Sequence, residues 1–311
     1  MKKGISRYKV LWAMLTVVVV IALAWPLKVC LPKGGINAAP DSTPVSSTAA
    51  ASPAVVPAVQ PVTAPAPAPA KSAPYLQILM YHEIGDGPNG LYVSVKNFEQ
   101  QMKYLHDNGY CGITLNEGKA LLDGRGTLPA GKPVVLTFDD AYSSFMTYAY
   151  PVLSQYGFRA TVFVITDRTG NSSYPNHLTW EQIGELAAYG MEIGSHTKSH
   201  PSLPTLSPAG LDEEIRGSKT ILEEHLAQPV YSFCYPAGEY NPAVVDAVAR
   251  AGYQQAVTVK YGWAIKKNAP FEIPRIRISR YLTYDKFVEM FAPPVPAQSP
   301  SAVTSGKTVK P

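Results

Sequence analysis

Between residues 75 and 292, short apolar runs alternate with longer amphipathic ones, and this alternation limits the chain to few architectures. Leu76–Tyr81, Pro133–Phe138, Arg159–Ile165, Met191–Gly194, Val230–Cys234 and Gln255–Val259 read as strands. Between them lie helical patterns. Ser94 caps a helix that carries Phe98, Met102 and Leu105, with Gly109 as its stop. Ser143–Tyr156 is helix-like, with a kink expected at Pro151. Thr179 caps Trp180–Tyr189, and Ser207–Leu226 and Asn241–Ala251 complete the set. Strand-then-helix order with apolar strands predicts an α/β fold with a parallel sheet, open or closed into a barrel.

The ends of the chain are of different material. Lys2, Lys3, Arg7 and Lys9 precede an uncharged run from Val10 to Leu27, close to the roughly 20 apolar residues that span a bilayer. An uncleaved anchor over residues 1–30 is favoured over a cleavable signal, for which Ala22-Leu23-Ala24 would be the cleavage site. Basic residues ahead of the run would keep the N-terminus in the cytoplasm and export the rest. The domain would then be periplasmic or extracellular, and secreted if the signal is cleaved. Residues 31–74 are a Pro/Ala/Ser/Thr-rich spacer, and 293–311 a similar tail, both read as disordered.

Charge follows this division. The net +4 of the chain combines +6 before residue 75, +2 after 292, and −4 between, where 18 Lys and Arg meet 22 Asp and Glu. The globular part is acidic, so nucleic acid is excluded as its expected partner. Three Cys are too few for a disulfide scaffold or a Cys-rich zinc module.

All six His fall in the acidic part. His82 follows the first strand, Asp139 and Asp140 follow Val134–Phe138, and His196 and His200 follow Met191–Gly194. In parallel α/β folds catalytic groups collect at strand C-termini. Asp140 with His196 and His200 has the composition of a two-His, one-carboxylate metal site, the His-x-x-x-His spacing placing both rings on one side if it forms a helical turn. Asp139 is then free as a base on water, and His82 can protonate a leaving group.

Thr137-Phe138-Asp139-Asp140 and His196-Thr197-Lys198-Ser199-His200 resemble the first two motifs of the polysaccharide deacetylase family (NodB homology, carbohydrate esterase 4). Ile78-Leu79-Met80-Tyr81-His82-Glu83-Ile84 is similar to a circularly permuted branch that includes biofilm poly-N-acetylglucosamine deacetylases. The resemblance implies a distorted, incomplete (β/α) barrel as a single catalytic domain. It implies a divalent metal, usually zinc with cobalt or nickel as alternatives, on Asp140, His196 and His200. Asp139 would be the base, His82 the acid, and the Ala237 N–H, in Tyr235-Pro236-Ala237-Gly238, the oxyanion donor.

One departure stands out: Cys234 occupies the position of the family's Asp-orienting Arg. Arg275 is the candidate replacement, with Arg277 and Arg280 as competitors. Tyr142, Tyr235 and Trp263 are loop aromatics that either stack on sugars or pack ordinarily. Cys111 and Cys234 read as buried free thiols, and His106 and His225 as structural or solvent-facing. His177, before a helix, is read the same way, with groove lining as its alternative.

The expected activity is metal-dependent removal of acetyl groups from N-acetylglucosamine-containing polysaccharide, such as biofilm polymer, peptidoglycan or chitin. A deacylase for O-acetyl or xylan acetate groups and a catalytically inactive carbohydrate-binding domain are the alternatives.

Overall fold

The computed structural model describes residues 75–127 and 130–291. The expected anchor, spacer and tail lie outside the described residues, among which no helix is long and apolar enough to cross a membrane.

In chain order the elements are β1 (Ile78–Tyr81), β2 (Glu83–Ile84), β3 (Tyr92–Val93), α1 (Val95–Asp107), β4 (Tyr110–Ile113) and α2 (Leu115–Asp123). Next come β5 (Lys132–Phe138), α3 (Tyr150–Gln155), β6 (Thr161–Val164), α4 (Trp180–Tyr189), β7 (Glu192–Ser195) and α5 (Pro208–Leu226). The last are β8 (Ser232–Cys234), α6 (Pro242–Arg250), β9 (Gln255–Tyr261), β10 (Ile273–Arg277) and α7 (Tyr284–Glu289).

Strands β1, β10, β9, β8, β7, β6 and β5 pair in that order, and β5 pairs back with β1. The result is a closed barrel of seven parallel strands, one short of the eight-stranded form. β4 joins from outside the ring along Lys132–Val135 of β5, and β6 takes over at Thr137 and Phe138. The ring is uneven: β8 meets β7 only at Ser195 and Phe233, and the β9–β10 register shifts between Ile273 and Arg275.

Alternation along the strands sorts side chains into two cores. Ile78, Val135, Phe163, Cys234, Val257 and Ile273 belong to the cluster that fills the barrel, while Leu79, Val134, Leu136, Val162 and Ile276 face the helices. Gly194 is required where Phe163 crosses the interior, because a Cβ there would sit 2.6 Å from its ring. Outside, α1 buries Phe98, Met102 and Leu105 on one stripe, and Ser94 accepts a hydrogen bond from the Asn97 N–H. The capping box Thr179–Gln182 opens α4, and Gly190 closes it at φ 101°.

The kink expected at Pro151 takes a specific form. Pro151 has no N–H for the helical ladder, and the turn before it, Phe145–Ala149, widens to π-helical spacing, with the Tyr150 N–H donating to the Phe145 carbonyl. The α-helix then starts afresh with Pro151 in its first turn, where a missing donor costs nothing.

At the foot of the barrel the first residues of four neighbouring strands are polar: Thr161, Glu192, Ser232 and Gln255. The Glu192 carboxylate accepts from the Asn116 N–H (2.8 Å) and the Thr161 hydroxyl (3.0 Å), and also from Ser232. The Gln255 amide ties Asn116 (2.6 Å) to Ser232 (2.8 Å). Burial pushes the Glu192 carboxyl upward against these donors. Glu192→Ala would strand three donors, so it should lower the unfolding free energy by about 1–3 kcal/mol. Urea unfolding would show this as a lower midpoint at unchanged slope.

Candidate active site and metal centre

The Asp139 N–H donates to the Tyr81 carbonyl (2.9 Å), so the β5–β1 ladder runs one residue past the strand. Asp140 and Ala141 then take φ of 70° and 56°, a left-handed pair that non-glycine residues rarely form. The strain is held in place by two hydrogen bonds: the Leu178 N–H to the Ala141 carbonyl (2.9 Å) and the Ser143 N–H to the Asn176 carbonyl (2.7 Å). This reversal sends two adjacent carboxylates to different surroundings.

Asp139 points into the barrel onto Arg275. The guanidinium donates from its two terminal nitrogens to both carboxylate oxygens at 2.7 Å, and its other contacts are Thr137 Oγ1 (3.0 Å), the Thr258 carbonyl (3.0 Å) and Cys234 Sγ (3.3 Å). Five N–H donors therefore meet five acceptors. Burial alone would raise the Asp139 carboxyl, but the charge and hydrogen bonds of Arg275 override it and hold the group far below the usual carboxylate range. His82 Nε2 lies 3.8 Å from Asp139 Oδ2, and its Nδ1 is buried without a partner. Burial pulls the His82 imidazole below its ordinary value against the pull of Asp139 and Asp140, so it rests neutral at pH 7.

Asp140 faces the two histidines instead. Its Oδ1 is 3.4 Å from His196 Nε2 and 3.7 Å from His200 Nε2, and the two rings stand edge to face at 4.8 Å. The His-x-x-x-His segment is not a helical turn. Thr197 and His200 take φ of 68° and 66°, and the His200 N–H donates to Thr197 Oγ1 (2.9 Å). Glu214 holds the loop from outside, accepting from the Lys198 and Ser199 N–H groups at 2.9 Å.

Two trios could hold a metal among the described residues: Asp140, His196, His200 and Asp139, His196, Cys234. The second does not fit. Both oxygens of Asp139 are engaged by Arg275, burial pushes the Cys234 thiol well up and keeps it protonated, and His196 Nδ1 donates to the Cys234 carbonyl (2.8 Å). The first does fit. With Nδ1 as donor, His196 Nε2 presents a lone pair, and ligand atoms 3.4–3.7 Å apart match the spacing around one ion with bonds of about 2.0–2.2 Å.

Among the remaining candidates, Arg275 takes the cation position; Arg277 is exposed and Arg280 donates to the Gly87 carbonyl. Ala237 is exposed at φ 53° in the turn after β8. Tyr142 lies two residues past Asp140, its ring 5.0 Å from His177. Two aromatic expectations are corrected. Tyr235 is 1% exposed, stacks on Tyr240 and donates its hydroxyl to the Phe271 carbonyl (3.0 Å), so it is core. Trp263 packs on Tyr75 (4.5 Å) beside the N-terminal end of β1, opposite the end that carries Asp139. Cys111 is only half-buried, and His225 stacks on Trp180. Cys234 is more than a packed thiol, since it contacts both Arg275 and Asp139. Its place in the Arg position of the motif was the available signal.

Removing Arg275 would leave a buried carboxylate unpaired. Arg275→Met should lose about 3–5 kcal/mol of stability at pH 7. A carboxyl depressed in the folded state contributes stability above its unfolded pKa of about 3.9 and loses it below. The gap between wild type and variant should therefore narrow as pH falls toward about 4 and beyond, as urea titrations at several pH values would read.

With this geometry in view, the relatives are informative. Residues 128–256 match the family model described as polysaccharide deacetylase. The chain is 40% identical over 204 residues to YxkH of Bacillus subtilis (strain 168), whose name places it among polysaccharide deacetylases; the match covers 66% of this chain and 71% of that one. It is 28% identical to the poly-beta-1,6-N-acetyl-D-glucosamine N-deacetylase of Staphylococcus aureus (strain N315), over 60% of this chain and 68% of that one. Among solved structures, the Streptococcus pyogenes deacetylase PplD in complex with acetate superposes at TM-score 0.66 with 34% identity, covering 70% of this chain and 99% of that one. IcaB from Ammonifex degensii does so at TM-score 0.61 with 28% identity, covering 70% and 96%. The chain belongs to the polysaccharide deacetylase (NodB homology, carbohydrate esterase 4) family.

Proposed function

We propose that this chain is a metal-dependent N-deacetylase that hydrolyses acetamido groups of N-acetylglucosamine-containing extracellular polysaccharide, with its domain held outside the cytoplasm by an N-terminal anchor. The observation that carries this reading is the separation of the two neighbouring carboxylates. Asp139 is ionised on Arg275 and faces His82, while Asp140 converges with His196 and His200.

Asp140, His196 and His200 would hold a divalent ion, with zinc as the best match to a ligand set of two imidazoles and one carboxylate. When bound, such an ion makes water more acidic and polarises a carbonyl oxygen. The chain's own groups do the rest. Asp139 accepts the proton of the attacking water as the new C–O bond forms at the acetamide carbon. Held far below the usual range by Arg275, the protonated Asp139 is a strong acid and gives the proton up readily. His82, neutral at rest with Nε2 3.8 Å away, is placed to take it and deliver it to the nitrogen as the C–N bond breaks, giving acetate and a free amine. Ala237 is exposed on a strained turn, and its N–H is the candidate donor to the developing oxyanion.

Acetate release from N-acetylglucosamine oligomers, with O-acetylated xylan as comparison, tests the reading. Asp139→Asn should cut turnover by about a hundredfold or more with metal content retained. Asp140→Ala should lose the metal and the activity together, as metal analysis of the purified variants would show. Oligosaccharide binding with no acetate release in any metal form would replace the enzyme by a binding module.

A further inference from the structure

Of the five N–H groups from His196 to His200, only the first still follows the sheet, donating to the Val164 carbonyl (2.8 Å). The other four go to side chains. Thr197 donates to Ser195 Oγ (3.2 Å), Lys198 and Ser199 both donate to Glu214 Oε2 (2.9 Å), and His200 donates to Thr197 Oγ1 (2.9 Å). The Ser199 hydroxyl adds a third donor to the same carboxylate, at Glu214 Oε1 (2.6 Å). A loop with left-handed residues at Thr197 and His200 has no regular ladder to keep its shape, so these acceptors set it.

One face of α5 supplies them. Glu214 and Ser218 are four residues apart, so their side chains lie one above the other on the helix. Ser218 is fully buried and works through Ser195. Its hydroxyl donates to the Ile215 carbonyl (3.0 Å), which leaves its oxygen to accept from the Ser195 hydroxyl (2.7 Å). Ser195 Oγ then keeps a lone pair for the Thr197 N–H. The result is one aligned chain of donors from the loop into the helix. Gly217, on the same face, allows the close approach: a Cβ there would sit 3.2 Å from the Lys198 side chain. Glycine is otherwise unfavourable inside a helix.

Neither Glu214 nor Ser218 belongs to the trio of Asp140, His196 and His200. We propose that both are positioning residues that set the affinity of the site for its metal, by holding the two-histidine loop in ligating shape from α5. This rests on the reading of Asp140, His196 and His200 as metal ligands. Without the α5 acceptors, the N–H groups between the histidines turn to water in other loop conformations. Only a fraction of the chains then presents both imidazoles to one ion, and apparent affinity falls by that fraction.

Zinc titration of the metal-stripped full-length chain against a competing chelator tests this. Glu214→Ala should weaken zinc binding about tenfold to a hundredfold, and Ser218→Ala should act in the same direction. Glu214→Gln keeps an oxygen for the two N–H groups and should recover most of the loss. Glu213→Ala, which removes only the surface ion pair with Lys198, should leave affinity unchanged. At saturating zinc, Glu214→Ala should regain most of the wild-type kcat. Wild-type affinity in Glu214→Ala or Ser218→Ala would overturn the proposal, as would equal weakening in Glu214→Gln and Glu214→Ala. A kcat that stays low at saturating zinc would do the same, since it marks a general structural defect. If Glu214→Ala does not fold, Glu214→Asp, one methylene short of the loop, carries the comparison with Glu214→Gln. A wild type that takes up no zinc, cobalt or nickel would instead sink the metal reading, and this proposal with it.

Discussion

The buried pair of Arg275 and Asp139 is the contact on which the rest of the site depends. Charges this far from water are tolerated only when every lone pair and proton finds a partner. Here the partners come from four strands of the barrel: Thr137 and Asp139 on or just past β5, Cys234 on β8, Thr258 on β9 and Arg275 itself on β10. The pair therefore crosses the top of the interior and fixes those strands relative to one another. It also sets the state of the carboxylate, which is ionised, aimed and out of reach of a metal. A second carboxylate one residue later can then serve the histidines without competition.

Backbone strain divides the labour. Asp140, Ala141, Thr197, His200 and Ala237 all take positive φ although none is glycine, and all lie in loops at strand C-termini around the site. The sixth such residue, Ala227, caps a helix. Each unusual backbone step re-aims a side chain or an N–H that a regular strand exit would send elsewhere, and at Asp140–Ala141 and Thr197 hydrogen bonds with the β6–α4 connection hold it there.

Much of this was legible in the sequence. Apolar runs, caps and glycine stops placed most strands and helices, because local periodicity and turn chemistry are written locally. Asp139, Asp140, His82, His196 and His200 were legible because they directly follow apolar strands. Arg275 could be listed but not separated from Arg277 and Arg280, since β10 register decides which side chain reaches Asp139. The same limit applies to Tyr235 and Trp263: an aromatic after a strand turns inward or outward according to what the next loop buries. Glu192 carried no local signature. Its role comes from long-range neighbours, Asn116 and the first residues of β6, β8 and β9.

The central claim is that Arg275 reserves Asp139 for proton transfer and leaves Asp140, His196 and His200 to hold the ion. Anomalous diffraction from crystals soaked in zinc tests it directly. The account predicts one peak bonded to Asp140, His196 and His200, with Asp139 still forked onto Arg275. A peak among Asp139, His196 and Cys234, with Arg275 displaced from the carboxylate, would contradict it.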